Sequence, residues 1–523
     1  MKASTNRFFV LIVLLALLVP IGQVWAGGAQ ESGGAVAEAS EGPIEFDLFV
    51  NHTWFWTDEW KGAIAEEITS RTGVTMDVTK ANDNQQLPVM IASGNLPDFV
   101  YASGDMVTRM SDSRISYPWN ELIPEHAPDF PLTEIEVANN TMPDGNFYTL
   151  LNAFATEQAW RENEIALPSP GTHSLSFRVD IWEELGQPSM TTLEEYEDVL
   201  MSVRDEYPDM VPLVLGWSGT AMYGYFAAQF GMDVGSNPVY EDDGQIYHRI
   251  RHPALVDTLV YLNRLVRNGL LVPENFTYQH EQFLQQVNSG RAFSFTRSAW
   301  QADEANTAYQ QAQLPFSARV LPNELSADAV LVNDGIGWSG TFITRSNDDP
   351  ARAIQFMSFM RSEEGRRLSV WGVEGVHWNE GPDGRPVFTD VYYDAQEAGT
   401  FYDEILGGVW TFGMSALEEA IQSYDPENRP YVTERLVSAK EITIYRPELY
   451  FTVPRTDSEE RNILTRIQEL STNEEVRIII SAESEEEVRT MYESMIDRAE
   501  SIGLGQLEEW MNDEYASVQD RYE

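Results

Sequence analysis

The sequence predicts an α/β fold in two or more lobes, on three observations. First, 523 residues at 43% hydrophobic and 11% aromatic are long and apolar enough for more than one core. Second, Ile44–Asn51 (IEFDLFVN) reads as a strand, a helix follows to about Thr72 with Gly73 as its stop, and Val74–Thr79 reads as a second strand. A strand–helix–strand unit implies a parallel sheet. Third, the stretch Gly335–Trp378 reads as a buried strand (Gly337–Thr344), a turn and a well-marked helix. Asp349 is its N-cap, and Pro350 takes the first helical position, where a missing N–H has no partner to lose. Ala353, Phe356, Met357 and Met360 then make one apolar stripe. Gly365 is expected to end the helix.

Taken in order, the chain opens on a secretory signal. Lys2 and Arg7 precede an apolar run, Phe8–Val19, that is too short to span a bilayer comfortably. Cleavage is expected after Ala26, and residues 27–43 read as a flexible leader. In Leu87–Asp105, Gly94 closes a helix, Asp98 caps a turn and Phe99–Tyr101 enters the sheet. Thr192 and Glu195 have capping-box spacing and open another helix. Val211 begins a strand that runs into GWSGT. VYEDDGQIYHRI is a hairpin with Asp-Gly at its turn; it lacks the ligand spacing of an EF-hand, so no metal is expected there. Pro253–Asn268 is an amphipathic helix ended by Gly269. Residues 380–430 read as turn-rich, and the remainder as mostly helical, with a second capping-box spacing at Ser484 and Glu487.

Charge and composition exclude several functions. Acidic residues outnumber basic ones 83 to 34, for a net charge of −49. Such a field repels nucleic acid and anionic membrane. It fits a well-solvated surface or one adapted to high salt. There is no cysteine, which removes disulfides, thiolate metal sites and cysteine nucleophiles. GWSGT occurs at Gly216–Thr220 and Gly337–Thr341, but neither copy is a nucleophile elbow, which needs glycine where these have threonine. His248 and His252 sit at a strand end, where that spacing shares no face. His377 and Glu374 are expected to form a hydrogen-bonded structural pair, and Arg178 and Asp180 to be structural as well.

A series of motifs resembles the extracellular solute-binding proteins of ABC importers, in the carbohydrate-type group of the maltose-binding and LplA-like proteins. The motifs are SGNLPDFVY at Ser93–Tyr101, the turn YPWNELIPE at Tyr117–Glu125, the strand DGNFYTLL at Asp144–Leu151, SLSFRVDIWEELGQP at Ser174–Pro188, FLQQVNSGRAF before Trp300, PARAIQFMSFMRSEEGRRL at Pro350–Leu368, and WGVEGVHW. Arg366 stands where glutamine is usual. The resemblance implies a two-lobe periplasmic-binding-protein fold, type II-like, with an interlobe hinge and a ligand cleft. Residues 44–173 would begin the first lobe and 174–336 the second. Residues 337–430 would return to the first lobe and hinge, and 431–523 would complete the second. It implies a substrate-binding component without enzymatic activity or cofactor, working as a monomer with separate permease subunits. Many members carry a lipid-bearing cysteine after the signal; here Gly27 stands in that place, so a free exported protein is expected.

The candidate site residues are mostly aromatic. Trp54, Trp56, Trp217, Trp300 and Trp338 each fall in a loop just after or within a strand end, and open parallel sheets bind ligands beyond the carboxyl ends of their strands. Indole faces stack on the C–H faces of pyranose rings while the N–H still bonds. Tyr223 is counted with them. Tyr101 and Asp105 follow the SGNLPD strand, where the resemblance implies ligand contact. A sugar or oligosaccharide is the expected solute. A peptide or other polar solute, a solute sensor and a secreted carbohydrate-active enzyme remain as alternatives.

Overall fold

The computed structural model describes residues 42–519, apart from 170, 217–221, 235–237, 383, 414–415 and 455–457. The expected signal and nearly all of the leader lie outside the described residues. The strands in chain order are β1 (Ile44–Val50), β2 (Val74–Lys80), β3 (Phe99–Ser103), β4 (His173–Arg178) and β5 (Val211–Val214). Next come β6 (Val239–Asp242), β7 (Gln245–His248), β8 (Ala292–Ser298), β9 (Ala318–Val320) and β10 (Leu331–Asn333). The last are β11 (Ser339–Ile343), β12 (Trp378–Glu380), β13 (Pro386–Phe388) and β14 (Thr443–Tyr445).

Two four-stranded sheets define two lobes. In the first the order is β11-β3-β1-β2. β1 runs parallel to both β2 and β3, and β11 is antiparallel to β3 with Thr341 opposite Tyr101. Phe46, Leu48, Phe49 and Val50 are all buried, so the end of β1 is covered on both faces, as a parallel sheet requires. Leu48, Phe99 and Ile343 pack with Phe356, Met357 and Met360 of the helix Pro350–Arg361. In the second lobe the order is β5-β8-β4-β9. Leu175, Phe177, Leu213 and Phe293 share one core with Ile467, Ile478, Val488 and Leu507 of the C-terminal helices Glu459–Ser481, Glu485–Ile502 and Leu504–Val518.

Residues 163–172, 331–338 and 423–430 lie, in sequence, between segments of the first core and segments of the second, and so mark the crossings. β10 and β14 pair in parallel beside these crossings. Lys440 ties the first crossing to the helix Pro430–Glu441 by donating to the Asn163 and Ala166 carbonyls (2.8 and 2.7 Å). Arg435 in that helix is buried, ion-paired with Glu324, and bonded to Ser174 Oγ (3.1 Å) and the His173 carbonyl (3.0 Å). One topological consequence places the site. The carboxyl ends of β1 and β3 and the amino end of β11 meet on one edge of the first sheet.

Several local expectations change. Gly365 does not end the helix that Asp349 caps. That helix stops at Arg361, and Ser362 caps a second helix, Glu363–Trp371, by accepting from the Gly365 N–H (3.1 Å). Gly365 serves the close turn between them, because a Cβ there would lie 2.1 Å from the Phe359 carbonyl oxygen. Asp144–Leu151 is buried at its end but is no strand; Thr149 Oγ1 donates to the Thr341 carbonyl (2.8 Å), so a side chain anchors it to β11. His377 and Glu374 do not pair. His377 Nδ1 instead accepts from the Val373 N–H (2.9 Å), while Glu374 is exposed. Residues 390–422 form short helices, not turns alone. The Asp243-Gly244 turn has positive φ at both residues (51° and 77°), the type I′ geometry that its sequence favours.

Candidate functional site

The edge where β1, β3 and β11 meet carries an aromatic surface. Past Val50 the backbone is pinned, with the Asn51 N–H on the Tyr101 carbonyl (2.9 Å) and the His52 N–H on the Val50 carbonyl (2.8 Å). Phe55 is buried, stacks on Trp56 at 4.3 Å, and accepts at its carbonyl from Lys80 Nζ (3.0 Å). This anchoring turns Trp54 outward. Trp54 is 51% exposed and Trp338, at the entry to β11, is 39% exposed. Their ring centres lie 6.4 Å apart. Trp410 packs against both, 6.0 Å from Trp54 and 5.7 Å from Trp338. Trp56 and Tyr402 extend the surface, 5.0 Å apart, and Trp56 Nε1 is committed to the Gly407 carbonyl (3.0 Å).

Polar groups lie beneath and beside these rings. The Tyr101 hydroxyl lies 2.7 Å from Ser339 Oγ, which donates to Asn152 Oδ1 (2.7 Å), and Asn152 Nδ2 returns a bond to the Tyr101 hydroxyl (3.2 Å). The triad fixes the floor. His52 is 4.9 Å from Trp54, 5.4 Å from Tyr101 and 5.8 Å from Trp338. Burial pulls its imidazole down to about 4, so it is neutral near pH 7. His52 Nε2 and its neighbour Asn51 Oδ1 are buried without a hydrogen-bond partner. Orphaned polar atoms are uncommon in folded interiors, and here they lie beside the exposed indoles.

The second-lobe helix Gln301–Gln311 carries Glu304 towards Tyr402. Glu304 is close enough to raise the Tyr402 phenol, although burial is the larger cause. Burial also raises the Glu304 carboxyl, to which Gln301 Nε2 donates (2.7 Å), and pulls Arg297, at the end of β8, down to about 10. The base of the cleft holds a cavity of about 220 Å³ with Trp338 in its wall. A larger cavity, about 380 Å³, lies on the other side of residues 334–336, against Tyr445 and Tyr515. It carries none of the exposed indoles, so aromatic surface and not volume locates the site. Among the described residues, no group of three or more His, Asp or Glu side chains is arranged to hold a metal.

Residues 63–369, more than half of the chain, match the bacterial extracellular solute-binding protein family. The chain belongs to this family. It is 22% identical over 399 residues to the polygalacturonan/rhamnogalacturonan-binding protein YtcQ of Bacillus subtilis strain 168, covering 71% of this chain and 74% of that protein. Among solved structures it is similar to alginate-binding protein AlgQ2, with a TM-score of 0.62, 18% identity, and 92% and 99% of the two chains covered. It is also similar to the substrate-binding protein FusA of S. pneumoniae in complex with kestose, with a TM-score of 0.61, 15% identity, and 91% and 100% covered. Those likenesses show the two-lobe fold.

In this solute-binding protein the sequence-selected residues have different fates. Trp54, Trp56 and Trp338 converge on one surface. Tyr101 is fully buried beneath it, and burial pushes its phenol up. Asp105 opens the helix Asp105–Met110 and forms an ion pair with Arg461 (2.6 Å), a residue of the second-lobe helix Glu459–Ser481. Trp300, half-buried, precedes the helix Gln301–Gln311. Tyr223 lies away from that surface: it is 1% exposed in the second-lobe core, and its hydroxyl donates to Glu475. Trp217 lies outside the described residues. Sequence reasoning missed Asn51, His52, Tyr402 and Trp410. His52 was visible as the residue two before Trp54, and Trp410 as an indole behind the Gly407-Gly408 pair.

Proposed function

We propose that this solute-binding protein captures an oligosaccharide between its lobes and delivers it to the membrane permease of an ABC importer. The single observation that carries this reading is the set of adjoining indoles at the carboxyl edge of the first sheet, with Trp54 and Trp338 open to solvent. Flat apolar faces beside unpartnered polar atoms match a sugar ring, which offers C–H faces and hydroxyls together. Relatives named for binding polygalacturonan, alginate or kestose support the same class. Ligand touching both lobes favours the closed state, which the permease reads. No covalent step is involved. The protein acts as a monomer outside the cytoplasmic membrane, after cleavage behind Ala26.

The test is tryptophan fluorescence of the protein, unfolded and refolded to remove carried solute, titrated with oligosaccharides and short peptides. A saturable change with one sugar class is expected. Trp54→Ala and Trp338→Ala should each weaken it about tenfold or more with folding intact. A response to peptides and none to sugars would overturn the carbohydrate assignment.

A further inference from the structure

We propose that the cavity behind Trp338 is the innermost subsite of the cleft and accepts one uncharged sugar ring, held by Glu419 and Ser169. The inference rests on the sugar-binding reading and adds to it the charge class of the ligand.

The position comes first. Trp338 belongs to both places: its ring packs on His52, Trp54 and Trp410 in the aromatic surface, and it also lines the cavity. A chain stacked on the indoles can therefore continue inward past Trp338. The cavity, about 220 Å³, suits a single ring. Gly335 and Gly337 line it where positive φ (64° and 95°) and close approach to the Ala155 and Asn152 carbonyl oxygens (2.4 and 2.1 Å from a built Cβ) admit no side chain.

Its chemistry comes second. Among the described residues the carboxyl of Glu419, on the helix Ala416–Gln422, accepts from Ser169 Oγ alone, and that bond is long at 3.4 Å. A carboxyl so weakly engaged has capacity for ring hydroxyls. Burial pushes Glu419 up to about 7, with the Ser169 bond opposing. The neighbouring charges are engaged elsewhere. Arg366 binds Glu418 (3.0 Å), and Lys440 binds the Asn163 and Ala166 carbonyls. Asp334, the other carboxyl of the wall, accepts from the Ile336 N–H (3.3 Å). Among the described lining residues there are two carboxyls and no Lys, Arg or His. A uronate placed beside an ionised Glu419 would meet like charge with no cation among the described lining residues, whereas a neutral ring would not.

The cavity also spans the crossings. Ser169 lies in the first and Asp334–Trp338 in the second, so a ring held there joins the two segments that must bend together when the lobes move.

The experiment titrates the protein and three variants, Glu419→Gln, Glu419→Ala and Ala416→Phe, with neutral oligosaccharides and with oligogalacturonates at a pH of about 8, where Glu419 is ionised. Neutral ligands should bind and oligogalacturonates should not. Ala416→Phe, which fills the cavity, and Glu419→Ala, which removes the anchor, should each weaken neutral binding about tenfold. Glu419→Gln should keep neutral binding within about threefold and admit the uronates. Oligogalacturonate binding by the parent protein as tight as any neutral sugar would overturn the proposal. So would unchanged neutral affinity in both Ala416→Phe and Glu419→Ala, although sugar binding itself would stand. Failure of every sugar to bind would remove both readings. Melting curves confirm that each variant is folded, and Ala416→Phe tests the cavity independently of Glu419.

Discussion

Glu419 and His52 show how burial sets charge at the cleft. Both are pushed towards their neutral forms, the carboxyl upward and the imidazole downward. For Glu419 the folded value, about 7, lies above the ordinary 4.5. The folded state thus holds the proton more tightly than the unfolded one. Stability is undiminished below pH 4.5, falls as pH rises through this window, and carries the full deficit above 7. Glu419→Gln should therefore melt like the parent near pH 4 and be more stable by about 2 kcal/mol near pH 8; calorimetry at the two pH values checks it. An equal effect at both would mean that packing, not ionisation, is responsible. Three of the site's indoles were legible one residue at a time, because Trp54, Trp56 and Trp338 adjoin strands whose ends the sequence marks. Trp410 and Tyr402 were not, since their neighbours in space are some 350 positions away in the chain.

Helix ends and turns decide geometry at the scale of elements. The pair Pro350–Arg361 and Glu363–Trp371 turns sharply at Ser362 because its hydroxyl caps the second helix while Gly365 lets the backbones touch. Gly365→Ala should cost more than about 2 kcal/mol, since the obstructing atoms are backbone and cannot move aside; urea unfolding measures it. An Asp349→Ala change should cost only about 1 kcal/mol, the loss of one N-cap bond to the Arg352 N–H. Apolar periodicity alone carried the first helix on to a stop at Gly365. A helical stripe continues smoothly in sequence even where a capping serine breaks the backbone, and the break becomes visible only when Ser362 is seen accepting from Gly365.

Across the whole molecule, two long-range effects act on the lobes. Net charge is −49, so self-repulsion opposes the compact state and is relieved by screening. The melting temperature should rise as salt is added from very dilute buffer to about 1 M; a flat response would show that the charges are too well dispersed to matter. Asp105 and Arg461 link the first lobe to the second (2.6 Å), with Asp105 half-exposed. Arg461→Ala should reduce stability by less than about 1 kcal/mol, as exposed pairs do, yet shift scattering towards a more open shape if this pair helps hold the lobes together.

The sequence by itself determined the parallel strand–helix–strand start of the first sheet, the strand ends at β1, β3 and β11, and the aromatic residues beside them. Those features depend on side-chain periodicity, capping and turn residues, which act over a few positions. Tertiary structure alone decided which aromatics meet. It sent Tyr223 into the second-lobe core, set Tyr101 beneath the surface and paired Asp105 with Arg461. It also brought Ser169, Trp338 and Glu419 to one cavity. Each of these depends on where the crossing segments fold back, a long-range event that no local spacing encodes.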